Sequence, residues 1–165
     1  LRRRAVTLIR KSKYILLPLV SFVSIVCFHG KGEFISWKAR GGRLQKRVLL
    51  VEDVDNMQEL IRFAVDKVDG FEVSAAAKNI WEARLEVERH RPDLVLLDEV
   101  LPGESSQDFL DELTRDNIPT LLVTSMEKPD HPLPAEAKGR WIKPTWDNVE
   151  QKTDELNQLL WAAIS

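Results

Sequence analysis

Short runs of apolar residues recur along residues 47–165, and each run ends at a polar residue. Four of them are continuous rather than alternating, over residues 48–51, 94–97, 121–123 and 141–142. Runs that are apolar on both faces are typical of central strands in a parallel sheet that helices cover on both sides. A further segment, residues 71–75, alternates and predicts a strand nearer the edge of the sheet.

Helical periodicity separates these runs. Apolar positions at spacings of three and four predict a first helix over residues 57–68, with Asp55 or Asn56 as its N-cap and Asp69-Gly70 at its end. Three more helices are predicted over residues 79–90, closed by Pro92, over 106–115 and over 147–163. Strict alternation of strands and helices predicts an α/β fold, a doubly wound parallel sheet with right-handed crossovers.

Charge divides the chain. Residues 1–46 contain 11 Lys and Arg and one acidic residue, a net charge of +10, whereas residues 47–165 contain 13 basic and 25 acidic residues, a net charge of −12. Such asymmetry indicates segments of different role, with a boundary near Gly41-Gly42-Arg43. We therefore interpret residues 1–46 as an extension outside the fold and residues 47–165 as the domain.

Three interpretations of residues 1–46 stay open. A basic head followed by an apolar run over residues 14–28, broken by Pro18, has the proportions of a signal peptide or short membrane anchor. Its basic residues also suit a nucleic-acid-binding arm. The third interpretation is an extension that the mature protein lacks, with translation starting near Leu44 or Val48. We expect a cytoplasmic protein with no direct nucleic-acid contact, and membrane association only if the anchor is real.

Composition excludes several classes of protein. At 44% hydrophobic and 30% charged residues, the chain resembles an ordinary globular protein. The single cysteine, Cys27, excludes an internal disulfide, and three scattered histidines argue against a zinc site. Neither glycine pattern of a nucleotide-phosphate loop occurs.

Candidate chemistry lies where the predicted strands end. The residues there are Glu52 and Asp53, then Asp98, then Thr124, then Lys143. The carboxyl ends of parallel strands meet at one edge of a sheet, so we expect these side chains to lie together. Three close carboxylates repel one another unless a cation lies among them, and hard oxygen ligands suit Mg²⁺. Asp98 would then be a nucleophile that forms an acyl phosphate, while Thr124 and Lys143 bind phosphoryl oxygens.

Residues 47–165 resemble the receiver domain of response regulators in two-component signalling. The matching segments are residues 48–53, 92–98 with 101–103, 119–125 and 143–144. The resemblance implies a flavodoxin-like five-stranded sheet of order 2-1-3-4-5 and phosphotransfer to Asp98 from a histidine kinase or phosphotransfer protein. It also implies that the backbone carbonyl of Val100 is a magnesium ligand beside Glu52, Asp53 and Asp98.

The chain departs from the family pattern at three places. Ser105-Ser106 stands where the family usually has Asp-Gly, and Arg140 stands where an aromatic residue commonly changes rotamer. We expect the Arg140 guanidinium to lie on the surface and to respond directly to new charge. Pro129, Pro132 and Pro134 predict that the fourth helix is short or missing, with at most a turn over residues 135–138.

These features predict a stand-alone receiver, a phosphorylation-gated signalling switch that acts through an unknown output protein. It would not be an enzyme beyond its own phosphotransfer and dephosphorylation. One alternative is a receiver-like interaction module that works without phosphorylation. Another is a phosphohydrolase, although Val100 occupies the position where such enzymes commonly have a second Asp. The last is a flavodoxin-like domain in which these residues are idle.

Overall fold

The structure is a computed structural model that describes residues 14–19, 22–29, 33–39, 45–103 and 105–165. The chain divides into two units with the boundary between Leu44 and Gln45. None of the helices in these ranges combines the length and the apolar composition that crossing a membrane requires.

The first unit contains a three-stranded antiparallel sheet. Its strands are β1 (Tyr14–Leu19), β2 (Phe22–His29) and β3 (Glu33–Ala39), in the order β1-β2-β3. The apolar run over residues 14–28 thus forms β1 and most of β2, and the sequence pattern did not predict these strands. The basic residues before Tyr14 lie outside the described residues.

The second unit contains a five-stranded parallel sheet. Its strands are β4 (Lys46–Val51), β5 (Phe71–Ala77), β6 (Leu94–Asp98), β7 (Thr120–Thr124) and β8 (Gly139–Ile142). Their order is β5-β4-β6-β7-β8, which confirms the predicted order 2-1-3-4-5 counted from β4. Every residue of β6 and β7 is buried, and this explains the continuous apolar runs over residues 94–97 of β6 and 121–123 of β7.

Four helices cover the two faces of this sheet. They are α1 (Asp55–Asp66), α2 (Ile80–His90), α3 (Ser106–Arg115) and α4 (Val149–Ala163). Alternate residues of each strand enter different cores: Leu50 packs with α1 and α4, whereas its neighbour Leu49 packs with α2 and α3. The flavodoxin-like, doubly wound fold predicted from the sequence is therefore confirmed.

Helix ends differ from the prediction where side chains have other partners. Neither Asp55 nor Asn56 caps α1; Val54 is its N-cap, with no side-chain hydrogen bond, and Asp55 instead pairs with Lys78 at 2.6 Å. The helix ends at Asp66, so the buried Val68 belongs to a following turn rather than to the helix. This turn closes at Gly70, whose φ of +90° suits a residue without a Cβ.

The other helices follow the prediction more closely. Asn79 is the N-cap of α2, and its side chain accepts a hydrogen bond from Glu82 N at 2.9 Å. α3 has the predicted bounds. α4 begins at Val149 instead of Asp147, because Asn148 Oδ1 accepts from Thr145 N at 2.7 Å and forms a turn before the helix.

The described part of the chain has no helix between β7 and β8. Residues 125–138 form bends and one turn at residues 135–136, which confirms that the fourth helix of the family is missing. Beside α3, this irregular segment leaves an open cavity of about 670 Å³, whose lining is half apolar, with Leu110 and Pro132, and half polar, with Glu99 and His131.

Two side chains donate hydrogen bonds to backbone carbonyl oxygens along the outer edge of β5. Gly70 O accepts from Lys46 N of β4, so by alternation the next carbonyls that face away from β4 are those of Phe71 and Val73. Gln45 Nε2 donates to Phe71 O at 3.3 Å, and Arg62 Nη1 donates to Val73 O at 3.1 Å.

Candidate functional site

Three acidic side chains meet at the carboxyl edge of the parallel sheet. Glu52 and Asp53 follow β4, and Asp98 is the last residue of β6. One carboxylate oxygen from each lies within 4.8 Å of the other two. Glu52 and Asp98 are only 1% and 3% exposed, while the Asp53 side chain faces solvent. The structure thus brings together the three acids that the strand-end pattern predicted to be close.

Lys143, directly after β8, neutralises part of this charge. Its Nζ lies 2.7 Å from Asp98 Oδ2 and 2.7 Å from Glu52 Oε2, and its side chain is 9% exposed. Burial alone would lower the pKa of Lys143, but hydrogen bonds to the two carboxylates raise it above its usual value. The ammonium group is therefore charged at neutral pH.

The site keeps an excess of negative charge. Burial raises the pKa of Glu52, although Lys143 opposes the shift. One ammonium group faces three carboxyl groups, so the pocket would gain from a further cation. Hard oxygen donors beside a solvent-facing Asp53 fit a magnesium ion that keeps several of its waters.

Backbone and hydroxyl contacts orient Asp98. Its Oδ1 accepts from Val100 N at 3.1 Å, and its backbone carbonyl accepts from Ser106 Oγ at 3.1 Å. Sequence reasoning missed the contact of Ser106, although it noted Ser105-Ser106 as a departure from the family. The Val100 side chain is 73% exposed, and metal ligation by its carbonyl stays a prediction.

Gln58 is a second supporting residue that sequence reasoning missed. Its Nε2 donates to Glu52 O at 2.6 Å and lies 3.4 Å from Ala77 O. The amide therefore joins the end of β4 to the end of β5 below the acidic cluster. The sequence contains one signal for this supporting role of Gln58, which is that a polar residue stands in the first turn of α1, soon after Glu52 and Asp53.

Thr124 lies buried at the end of β7, at the same edge of the sheet. Its Oγ1 accepts from Met126 N at 3.2 Å, and its carbonyl accepts from Lys143 N at 2.7 Å. Because a hydroxyl group can accept and donate at once, the Thr124 hydroxyl hydrogen is available to another acceptor.

The expected surface position of the Arg140 guanidinium is wrong, and its response to new charge stays a prediction. Its side chain is only 15% exposed, and its Nε donates to Glu99 Oε1 at 2.8 Å. Glu99 directly follows Asp98, and its buried carboxylate binds the guanidinium instead of leaving it at the surface. The neighbouring Trp141 enters the opposite core, because successive side chains of a strand point to opposite faces, and its Nε1 donates to Lys152 O at 3.0 Å.

The fold and the site together define a doubly wound domain whose carboxyl edge has three acids, a buried hydroxyl and a charged lysine. Residues 48–141 match the family described as the response regulator receiver domain. The chain belongs to this family of two-component signalling domains, which confirms the resemblance seen in the sequence.

Individual relatives agree with this assignment. The chain is 34% identical over 76 residues to the probable C4-dicarboxylate response regulator DctR of Priestia megaterium, covering 46% of this chain and 33% of that protein. The response regulator domain of Thermotoga maritima CheB matches with a TM-score of 0.64 at 21% identity, over 74% of this chain and 97% of that one.

A further structural match is a chain in the crystal structure of the CheA3 P1 domain in complex with CheY6 from R. sphaeroides. Its TM-score is 0.63 at 23% identity, over 73% of this chain and 98% of that one. The matches to the first three curated relatives span between 23% and 35% of the length of those proteins.

Proposed function

We propose that residues 47–165 form a phosphorylation-gated signalling switch in which Asp98 accepts a phosphoryl group from a histidine kinase or phosphotransfer protein. The observation that supports this most strongly is the setting of the Asp98 carboxylate. It lies among two other acids, and its Oδ2 is 2.7 Å from the Lys143 ammonium. The complex of CheA3 P1 with CheY6 illustrates the kind of partner that we propose.

Glu52, Asp53, Asp98 and the carbonyl of Val100 would hold Mg²⁺. A bound magnesium ion supplies charge neutralisation and a ligand position for a phosphoryl oxygen. Asp98 forms the new oxygen–phosphorus bond as the phosphorus–nitrogen bond to the donor histidine breaks.

Lys143 and Thr124 bind the remaining phosphoryl oxygens. The raised pKa of Lys143 keeps its ammonium charged for this role. The Thr124 hydroxyl donates the hydrogen that its contact with Met126 leaves available.

The proposal extends to output and location. The phosphorylated domain acts through a bound output protein in the cytoplasm, without direct nucleic-acid contact. Its own chemistry is limited to gaining and losing the phosphoryl group, and residues 1–44 stay outside the receiver fold. Membrane attachment would arise only from these residues.

A second candidate is a receiver-like interaction module that needs no phosphorylation. Two observations favour it. The helix between β7 and β8 is absent from the described residues. At the usual aromatic switch position, Arg140 is held in an ion pair with Glu99. The acidic cluster opposes this candidate, because an idle cluster of buried carboxyl groups only lowers stability.

Treatment with acetyl phosphate distinguishes these functions. We expect intact mass spectrometry to show one added phosphoryl group in the presence of Mg²⁺ and none in EDTA or in Asp98→Asn. Asp111→Asn makes the same chemical change at an exposed residue of α3 and should label like wild type. Labelling of Asp98→Asn contradicts the assignment. An unlabelled wild type supports the interaction module, and continuous release of inorganic phosphate without a stable adduct supports a phosphohydrolase.

A further inference from the structure

The ion pair between Arg140 and Glu99 leaves one carboxylate oxygen without a partner. Nε and Nη2 of Arg140 both lie 2.8 Å from Glu99 Oε1. Glu99 Oε2 is buried and accepts no hydrogen bond from the part of the chain that the structure describes. We propose that this pair is a two-position latch, which releases the segment at His131 and Pro132 when Asp98 is phosphorylated. The inference rests on the proposed phosphorylation of Asp98.

In the observed position, the Arg140 guanidinium binds Glu99 and also donates hydrogen bonds to the segment between β7 and β8. Arg140 Nη2 lies 3.0 Å from His131 Nδ1 and 3.4 Å from Pro132 O, and Nη1 lies 3.4 Å from His131 O. A guanidinium group only donates, so Nδ1 of His131 is the acceptor. These three contacts hold the segment to β8.

A second position is available because the Arg140–Glu99 pair is incomplete. A buried carboxylate oxygen without a donor is unfavourable, and an arginine binds a carboxylate best when two N–H groups reach two oxygens. The pair of Arg84 with Glu112 has this complete form, with distances of 2.8 Å from Nε to Oε2 and from Nη2 to Oε1. If Arg140 turned inward to reach Oε2, its donors would leave His131 and Pro132.

Phosphorylation favours the inward position. Glu99 is bonded covalently to Asp98, so a phosphoryl group on Asp98 places new negative charge beside the buried ion pair. Attraction is strong where water is excluded, and it draws the guanidinium toward the end of β6. Since His131 and Pro132 line the cavity beside α3, their release changes one wall of that cavity.

The nitrogen NMR signals of the His131 ring test the latch, with acetyl phosphate and Mg²⁺ present and the phosphoryl group verified by intact mass in the same samples. In wild type, we expect phosphorylation to move the Nδ1 signal to the position that it has in Arg140→Met, because the ring loses its donor. Glu99→Gln keeps one acceptor oxygen but replaces the other by an amide donor. Its His131 signal should be the same in both states.

Two further variants complete the test. Arg140→Met removes all the donors, so its His131 Nδ1 signal should differ from that of unphosphorylated wild type and should not move with phosphate. Arg84→Met breaks an arginine–carboxylate pair between α2 and α3 and should respond like wild type.

Several outcomes overturn the latch while leaving the proposed function intact. These are phosphorylated wild type with an unchanged His131 signal, a Glu99→Gln response equal to that of wild type, an unphosphorylated Arg140→Met whose His131 signal equals that of wild type, and a Glu99→Gln protein that takes up no phosphate. A wild type that gains no phosphoryl group overturns both.

Discussion

Val100 and Met126 are apolar residues that stand two positions after Asp98 and Thr124, respectively. Their side chains are 73% and 45% exposed. Hydrolysis of an acyl phosphate needs a water molecule in line with the phosphorus, and apolar side chains there neither hold nor polarise that water. We expect a long-lived phosphorylated state, with Val100→Asn and Met126→Glu losing phosphate roughly threefold faster or more.

The check is the decay of purified phosphoprotein, followed by intact mass. Leu133→Glu is a matched control, because it puts the same acidic group on an exposed apolar residue of the segment between β7 and β8. Equal or slower decay in both test variants would mean that other residues control access of water.

Residue types at strand ends predicted the acidic cluster because parallel topology alone brings those ends together. Arg140 shows where such reasoning stops. Arg140 could be placed in the family pattern because it lies three residues before Lys143. Its partner Glu99, however, lies 41 residues away, and the pattern of strand-end residues did not indicate that the two would pair. Which oxygen a guanidinium reaches depends on side-chain packing, and periodicity does not encode it.

Between α2 and α3, the Arg84–Glu112 pair stabilises the helical layer on one face of the sheet. The hydrogen bonds from Arg84 hold the pKa of Glu112 below its usual value of 4.5. A carboxyl group with a lowered folded pKa stabilises the fold above its unfolded pKa, and this contribution is lost as pH falls through the folded value. Because Glu112 is 32% exposed, the stabilisation at pH 7 is about 0.5–1 kcal/mol.

Urea unfolding at two pH values measures this contribution. We expect Glu112→Gln to lower the free energy of unfolding at pH 7 by about 0.5–1 kcal/mol, and to lower it less at pH 3, because the contribution is lost as pH falls through the folded pKa. Glu59→Gln, at an exposed position of α1, is the control and should change little at either pH. A difference of equal size at the two pH values would point to packing of the Glu112 side chain rather than to its charge.

Helix interiors were more predictable than helix ends. The bounds of α3 agree because Ser105 caps the helix, accepting from Asp108 N at 3.4 Å, and the apolar stripe begins about one turn later, at Phe109. The start of α1 was wrong because a capping side chain can take a competing partner, as Asp55 does with Lys78. The local sequence shows which residues are able to cap a helix. Whether a residue does so depends on the other partners that the tertiary structure offers its side chain.

All five parallel strands and the four helices that cover them lie within residues 45–165. A domain of this size buries about two-thirds of its unfolded surface, which suffices for independent folding. We expect a shortened chain that begins at Leu44 to unfold cooperatively, with a midpoint in urea close to that of the full chain. Circular dichroism and urea titration measure this. An insoluble or molten product, beside a well-folded full chain, would show that residues 1–43 belong to the core.

The parallel strands were predictable over the whole domain because continuous apolar runs mark strands that are buried on both faces, whereas their order followed from the resemblance to the receiver family. The three antiparallel strands over residues 14–39 were not predicted. There, one apolar run spans two strands, and Pro18 within it argued against a strand. The basic residues beside this apolar run are also typical of a signal peptide or membrane anchor, and such segments do not predict strands.

The side chains along the outer edge of β5 limit self-association through the sheet. An exposed strand edge is a template on which another chain can add a strand, and this begins edge-to-edge aggregation. On β5, the Phe71 and Val73 carbonyls already accept from Gln45 and Arg62. At the opposite edge, β8 has only four residues and is followed by Lys143-Pro144, where proline has no N–H to extend a ladder. Both edges of the parallel sheet therefore present few free backbone groups with which a strand of a second copy of the chain could pair.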